Sequence, residues 1–237
     1  MANLSRGQRH LTNMTSEVDI VETSSAKTSR AVLYSELLIF FAILPLLLYE
    51  RLIPNWPIPI LVAVAIGAFL VLRRIPNFSL SRLFEWGGAR SQTLSILARD
   101  AFLMLALGIA VWRFAPDLLF SLVRRAPIFW AVLMILYPLF SVLPQEFLFR
   151  AYFFRRYKEI FGGGSAMIAA SALAFGFVHI IFGNWLAVLL SAIGGLIFSN
   201  TYLRTDSLAL VCVEHALFGN FLFTIGLGHF FYHAHQL

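Results

Sequence analysis

Residues 127–154 read PIFWAVLMILYPLFSVLPQEFLFRAYFF. This run is long enough to cross a bilayer, which takes about 20 helical residues. Its only charged side chains, Glu146 and Arg150, stand four apart with the acid first, the favoured order for a helical ion pair. A charged pair inside an apolar helix is costly in lipid, and such residues default to function. Outward from this run the chain repeats the pattern, with apolar stretches at 31–49, 57–73, 96–113, 165–182, 185–202 and 207–227. The third is the weakest, because Arg99 and Asp100 interrupt it. The expected fold is therefore all-α, a polytopic membrane protein of about seven transmembrane helices around an intramembrane polar site.

Composition agrees. Of the 237 residues 59% are hydrophobic and only 13% charged, about half the charged share of a soluble domain. The net charge of +6 does not point to nucleic acid, because the positive residues sit in alternate loops. Thirteen Lys and Arg, among them Arg73, Arg74, Arg155, Arg156 and Lys158, fall on the side of the N-terminus. Four, Arg51, Arg113, Arg124 and Arg125, fall on the other. The positive-inside rule then gives a cytoplasmic N-terminus and, for seven spans, a C-terminus outside. Residues 1–30 are polar and rich in Ser and Thr, and read as a disordered cytoplasmic tail. Residues 31–228 form the multi-span domain. Trp56, Trp112, Trp130 and Trp185 lie near span ends, as interfacial anchors do. Cys212, the single cysteine, excludes an intrachain disulfide and reads as apolar filler.

Three spans carry the polar groups that matter. They are Gln145, Glu146 and Arg150 in the fourth, His179 in the fifth, and Glu214, His215 and Asn220 in the seventh. Counted along each helix from its basic end, Gln145 lies about 15 Å deep, His179 about 21 Å and His215 about 12 Å. Shared depth predicts one cavity lined by Gln145, Glu146, His179 and His215, open toward the inner leaflet. Ser165, and Asp206 or Ser207, are expected to cap the fifth and seventh helices. The small residues of the fifth, from Ala166 to Gly176, place it in the interior. Glu36, near the inner end of the first span, is a further candidate for the polar layer. His229, His233 and His235 read as solvated or interfacial.

Gln145-Glu146-x-x-x-Arg150, Phe175-x-x-x-His179 and His215 followed by Asn220 occur in that order on three helices. On these motifs residues 125–227 resemble the CAAX-protease and bacteriocin-processing (CPBP) family of intramembrane metalloproteases, which includes CAAX prenyl endopeptidases and abortive-infection-like proteins. The family pattern is Glu-Glu-x-x-x-Arg, Phe-x-x-x-His and His-x-x-x-Asn. The resemblance implies an endopeptidase in the bacterial plasma membrane, cutting a peptide or lipidated protein with activated water. Gln145, Glu146, Arg150, His179, His215 and Asn220 then form its catalytic set. It also implies either a divalent metal such as zinc, held by His179, His215 and Glu146 with Glu214 or a water-linked Glu146 as base, or a metal-free mechanism.

Two departures stand out. Gln145 occupies the first glutamate position, and a neutral amide is no general base. Either Glu146 has taken over as base or ligand while Gln145 positions water, or the chain is an inactive relative that binds peptides as a scaffold. Asn220 is five residues after His215, which turns it about 140° away on an ideal helix unless a π-bulge near Gly219 intervenes. A small transporter or proton relay is the third reading, since buried Glu and His also mark ion pathways.

Overall fold

The computed structural model describes residues 28–75, 78–86 and 90–232. Residues 1–27 of the proposed tail, with His233 and His235, lie outside that range. Every regular element among the described residues is helical. Seven helices form the body: α1 (Arg30–Tyr49), α2 (Pro57–Leu72), α3 (Arg90–Phe114), α4 (Pro127–Arg156), α5 (Ser165–Val178), α6 (Trp185–Thr205) and α7 (Leu208–Ile225). Among the described residues six segments are long and apolar enough to span a membrane, α5 counting with the 3-10 turn His179–Phe182 that continues it, and α2 is a shorter apolar helix. Apolar side chains face outward along them. On α3, Leu94, Phe102, Leu105, Ile109 and Trp112 are all more than half exposed, which water does not favour and lipid does.

The weak third span is a continuous helix because its interrupting charges are paired. Arg99 bonds Asp100 at 2.8 Å and, across the bundle, Glu214 of α7 and Thr201 of α6. Glu214 therefore binds α3 to α7 and does not turn toward the histidines. Glu36 is likewise a strut. It accepts Tyr152 Oη and Arg156 Nε of α4, each at 3.0 Å, and so ties α1 to α4.

Helices α5 and α6 pack most closely, as the run of small residues in α5 predicts. A Cβ added to Gly176 would lie 2.7 Å from Ala192 Cβ, and one on Gly195 would lie 2.9 Å from Ala172 Cα. One strip of α5 still faces outward, with Leu173 exposed. Gly183, at φ 70°, makes the left-handed turn between the two helices, and Asn184 caps α6 by accepting from Ala187 N at 2.8 Å. Ser207 caps α7 as expected, accepting from Leu210 N. Ser165 does not cap α5: it is the first helical residue, and Gly164 holds the cap position without a side chain.

Helices α1 and α4 widen into π-helix at Ile39–Ile43, Pro138–Val142 and Phe147–Tyr152. Pro45, Pro138 and Pro144 each withdraw a backbone donor from these helices. The carbonyl that Pro138 leaves without its helical partner belongs to Met134, and Asn220 Nδ2 donates to it at 3.2 Å. In lipid such a group must find a partner within the protein.

Gly195→Leu should destabilise the bundle by about 1–3 kcal/mol through overpacking. Gly67→Ala, on a face with no neighbour within 4 Å of the new Cβ, should be neutral or gain roughly 0.5–1 kcal/mol. Thermal unfolding of both variants in the same detergent checks the contrast.

Candidate functional site

Glu146 is fully buried on α4, directly before the π-widened stretch Phe147–Tyr152 that carries Arg150. One carboxylate oxygen, Oε2, pairs with Arg150 Nε at 3.1 Å. The other, Oε1, accepts from His215 Nδ1 at 2.7 Å. Arg150, itself fully buried, donates from Nη1 to Ser171 Oγ of α5 at 3.1 Å. Its guanidinium also lies over the rings of Phe175 and Phe198, 5.1 and 5.9 Å from their centroids. The cation is thus matched to one carboxylate, one hydroxyl and two π faces, which together offset the cost of removing it from water.

His215 is fixed on three sides. Because Nδ1 faces a carboxylate, that nitrogen carries the hydrogen, and in the neutral ring Nε2 is an acceptor. Tyr137 Oη stands 2.9 Å from it. The imidazole lies nearly flat against Phe198, at 4.7 Å and 23°. His179 begins the 3-10 turn after α5, and its Nδ1 donates to the Phe175 carbonyl at 2.6 Å. A carbonyl only accepts, so Nδ1 holds the hydrogen and Nε2 keeps its lone pair.

Gln145, His179 and His215 line one cavity of about 720 Å³, with Tyr137, Ser141 and Ser191 as its other buried or half-buried polar walls. The remaining wall is largely Phe, Leu, Ile and Val. Glu146 does not reach it. The expected carboxylate wall is absent because both oxygens of Glu146 are engaged inside the helix packing. The cavity is also lined mainly from the other half of the bundle than the one anticipated. Its lining comes from Phe40–Leu48 of α1, the start of α2, Leu103 and Leu107 of α3, α4 between Phe129 and Phe149, the end of α5, the middle of α6 and the later half of α7. Most of these lie away from the basic face that carries Arg73, Arg74, Arg155 and Arg156. Depth along each helix located the polar residues but not the side on which α1 and α2 leave room.

Gln145 donates from Nε2 to Ser141 Oγ at 2.7 Å, and its Oε1 is buried without a hydrogen-bond partner. Asn220 is not part of the cavity wall. Helix α7 is regular from Leu208 to Ile225, with no π-bulge near Gly219, so the five-residue spacing carries Asn220 to the Met134 carbonyl instead. The trio His179, His215 and Glu146 does not fit a metal in this arrangement. The Nδ1 of His215 and both oxygens of Glu146 are already committed to each other and to Arg150. Among the described residues no three His, Cys, Asp or Glu side chains group closely enough to hold an ion. His229 is a local brace, its Nδ1 on the Gly226 carbonyl at 2.6 Å.

Residues 127–222 match the Rce1-like family. That family is described as type II CAAX prenyl endopeptidase Rce1-like, and the matched stretch runs from the start of α4 into α7. The resemblance drawn from the three motifs therefore holds. The Rce1-like segment includes Gln145, Glu146, Arg150, His179, His215 and Asn220. No curated protein and no solved structure matches the chain. Sequence reasoning missed Tyr137 and Ser141, both on α4 ahead of the motif. A hydroxyl in a transmembrane helix is common, and nothing in the sequence set these two apart except their one- and two-turn spacing before Gln145.

Arg150→Met should cost about 3–5 kcal/mol, because it leaves Glu146 as a buried charge without its cation. Adding Glu146→Gln should recover part of that loss. Denaturant unfolding of the two single variants and the double variant measures the coupling.

Proposed function

We propose that the protein is an intramembrane endopeptidase that hydrolyses a peptide bond of a membrane-associated protein or peptide with water activated by His179. The observation that carries this reading is the tautomer of His179. Its Nδ1–H is spent on the Phe175 carbonyl, so Nε2 is a free base on a side chain that lines the apolar cavity. Water gives its proton to Nε2 as its oxygen adds to the scissile carbonyl carbon. The C–N bond then breaks and Nε2 returns that proton to the leaving amine. Gln145 serves as an orienting group, with Oε1 accepting from the water and Nε2 held by Ser141. Glu146 acts at a distance from the substrate, keeping His215 in one tautomer and one orientation. No step requires the missing first glutamate.

The charge bias of the loops supports a cytoplasmic N-terminus in a bacterial plasma membrane, with the C-terminus outside. In that orientation the cavity lies in the outer half of the bilayer. Its substrate is then an apolar or lipid-bearing segment presented from the outer leaflet, such as an exported peptide. A reporter fused after Leu237 should be active only outside the cytoplasm, and activity only in the cytoplasm would reverse the side of access.

His179→Ala should lower turnover about 10²–10⁴-fold, the usual worth of a positioned base, while EDTA leaves the wild type active. Terminomics of cells with the wild type, with His179→Ala and without the gene supplies the cleavage readout. Gln145 favours one other reading, an inactive peptide-binding scaffold. Normal in vivo function of the double variant His179→Ala, His215→Ala would select it over the peptidase.

A further inference from the structure

The peptidase reading leaves one task without a residue, donation of a hydrogen bond to the carbonyl oxygen as it takes on negative charge. Asn220, at the end of the third motif, is turned onto the Met134 carbonyl and lies outside the cavity wall. The position four residues after His215, on the same helix face, is Gly219, which does line the cavity. The space an asparagine would fill there is taken by the ring of Tyr137. A Cβ built on Gly219 collides with Tyr137 Cε1, Cζ and Oη together. Glycine at 219 and tyrosine at 137 are therefore one fitted pair, made by α4 and α7 at the point where they meet.

We propose that the Tyr137 hydroxyl is the catalytic donor to the scissile carbonyl oxygen. This rests on the peptidase reading. Tyr137 lines the same cavity as His179 and Gln145. Its ring is held by Gly219 and by the edge of Phe223, with centroids 5.2 Å apart. Its oxygen is held by His215 Nε2, and His215 by Glu146. The chain from Glu146 through His215 to Tyr137 thus places a hydroxyl before substrate binds, the condition for electrostatic stabilisation without reorganisation. Rotation about the Cζ–Oη bond moves the hydroxyl hydrogen from His215 to the carbonyl oxygen. Only a hydrogen bond is exchanged, so the proton balance of the hydrolysis is unchanged.

Tyr137→Phe keeps the ring over Gly219 and removes only the hydroxyl. On an internally quenched peptide carrying a farnesyl thioether near its C-terminus, its kcat should fall about 10²–10³-fold with KM nearly unchanged. A purely structural tyrosine would not divide the two parameters in that way. Tyr137→Ala should be at least as slow, and adding Gly219→Asn to it should restore turnover in part by returning an amide to the vacated space. Equal kcat for the wild type and Tyr137→Phe would overturn the hydroxyl's role and leave the peptidase reading standing, as would failure of the Ala–Asn pair to exceed Tyr137→Ala when both fold. A wild type that cuts neither this peptide nor any protein in a terminomic comparison of membranes would overturn both.

Discussion

The carboxylate of Glu146, buried with no exposed surface, is the constraint on which the site depends. An ion at that depth is stable only if its partners are fixed before it arrives. Arg150 one turn on, with its hydroxyl and aromatic supports on α5 and α6, meets one oxygen, and His215 from α7 meets the other. Three consequences follow from the single pair of contacts. Helix α4 has one rotational setting, α7 has one register against it, and the His215 ring has one tautomer. Much of the polar geometry of the cavity descends from that setting.

The same helices are irregular where they carry the site. Proline within a membrane helix leaves a carbonyl without its partner, and each such gap has to be closed or widened into π-helix. Directly after Glu146 the widened stretch Phe147–Tyr152, which carries Arg150, is buried along its whole length. Near Met134 the gap is closed by Asn220, which removes that amide from the cavity. The irregularity that builds one part of the site thus dismantles another, and Tyr137 occupies the space that results.

A second charged group, Arg99 with Asp100 and Glu214, has the opposite character. It lies between α3 and α7 near Thr201, and its hydrogen bonds run among Arg99, Asp100, Thr201 and Glu214 rather than to either histidine of the cavity. Its effect is to hold in the bundle a span whose apolar run two charged residues interrupt. Glu36 with Arg156 does the same for α1. Buried ions in this bundle divide into those that position the site and those that pin helices to each other.

By itself the sequence determined the helical membrane fold, seven apolar segments, the loops that are basic and the motifs on which residues 127–222 match the Rce1-like family, because hydropathy and motif order are properties of the chain read linearly. The Glu146–Arg150 pair was legible for the same reason, being one turn apart on one helix. The sequence counted Asn220 in the site while its five-residue spacing from His215 left two orientations open, and the regular α7 turns it onto the Met134 carbonyl. Tertiary structure alone decided which oxygen of Glu146 meets His215, that Glu146 is shut out of the cavity, and that Glu214 and Glu36 are struts. It alone turned the cavity away from the basic face and brought Tyr137 onto Gly219. Each of these depends on the rotation of one helix against another, which side-chain volumes and buried charges fix together and no single span encodes.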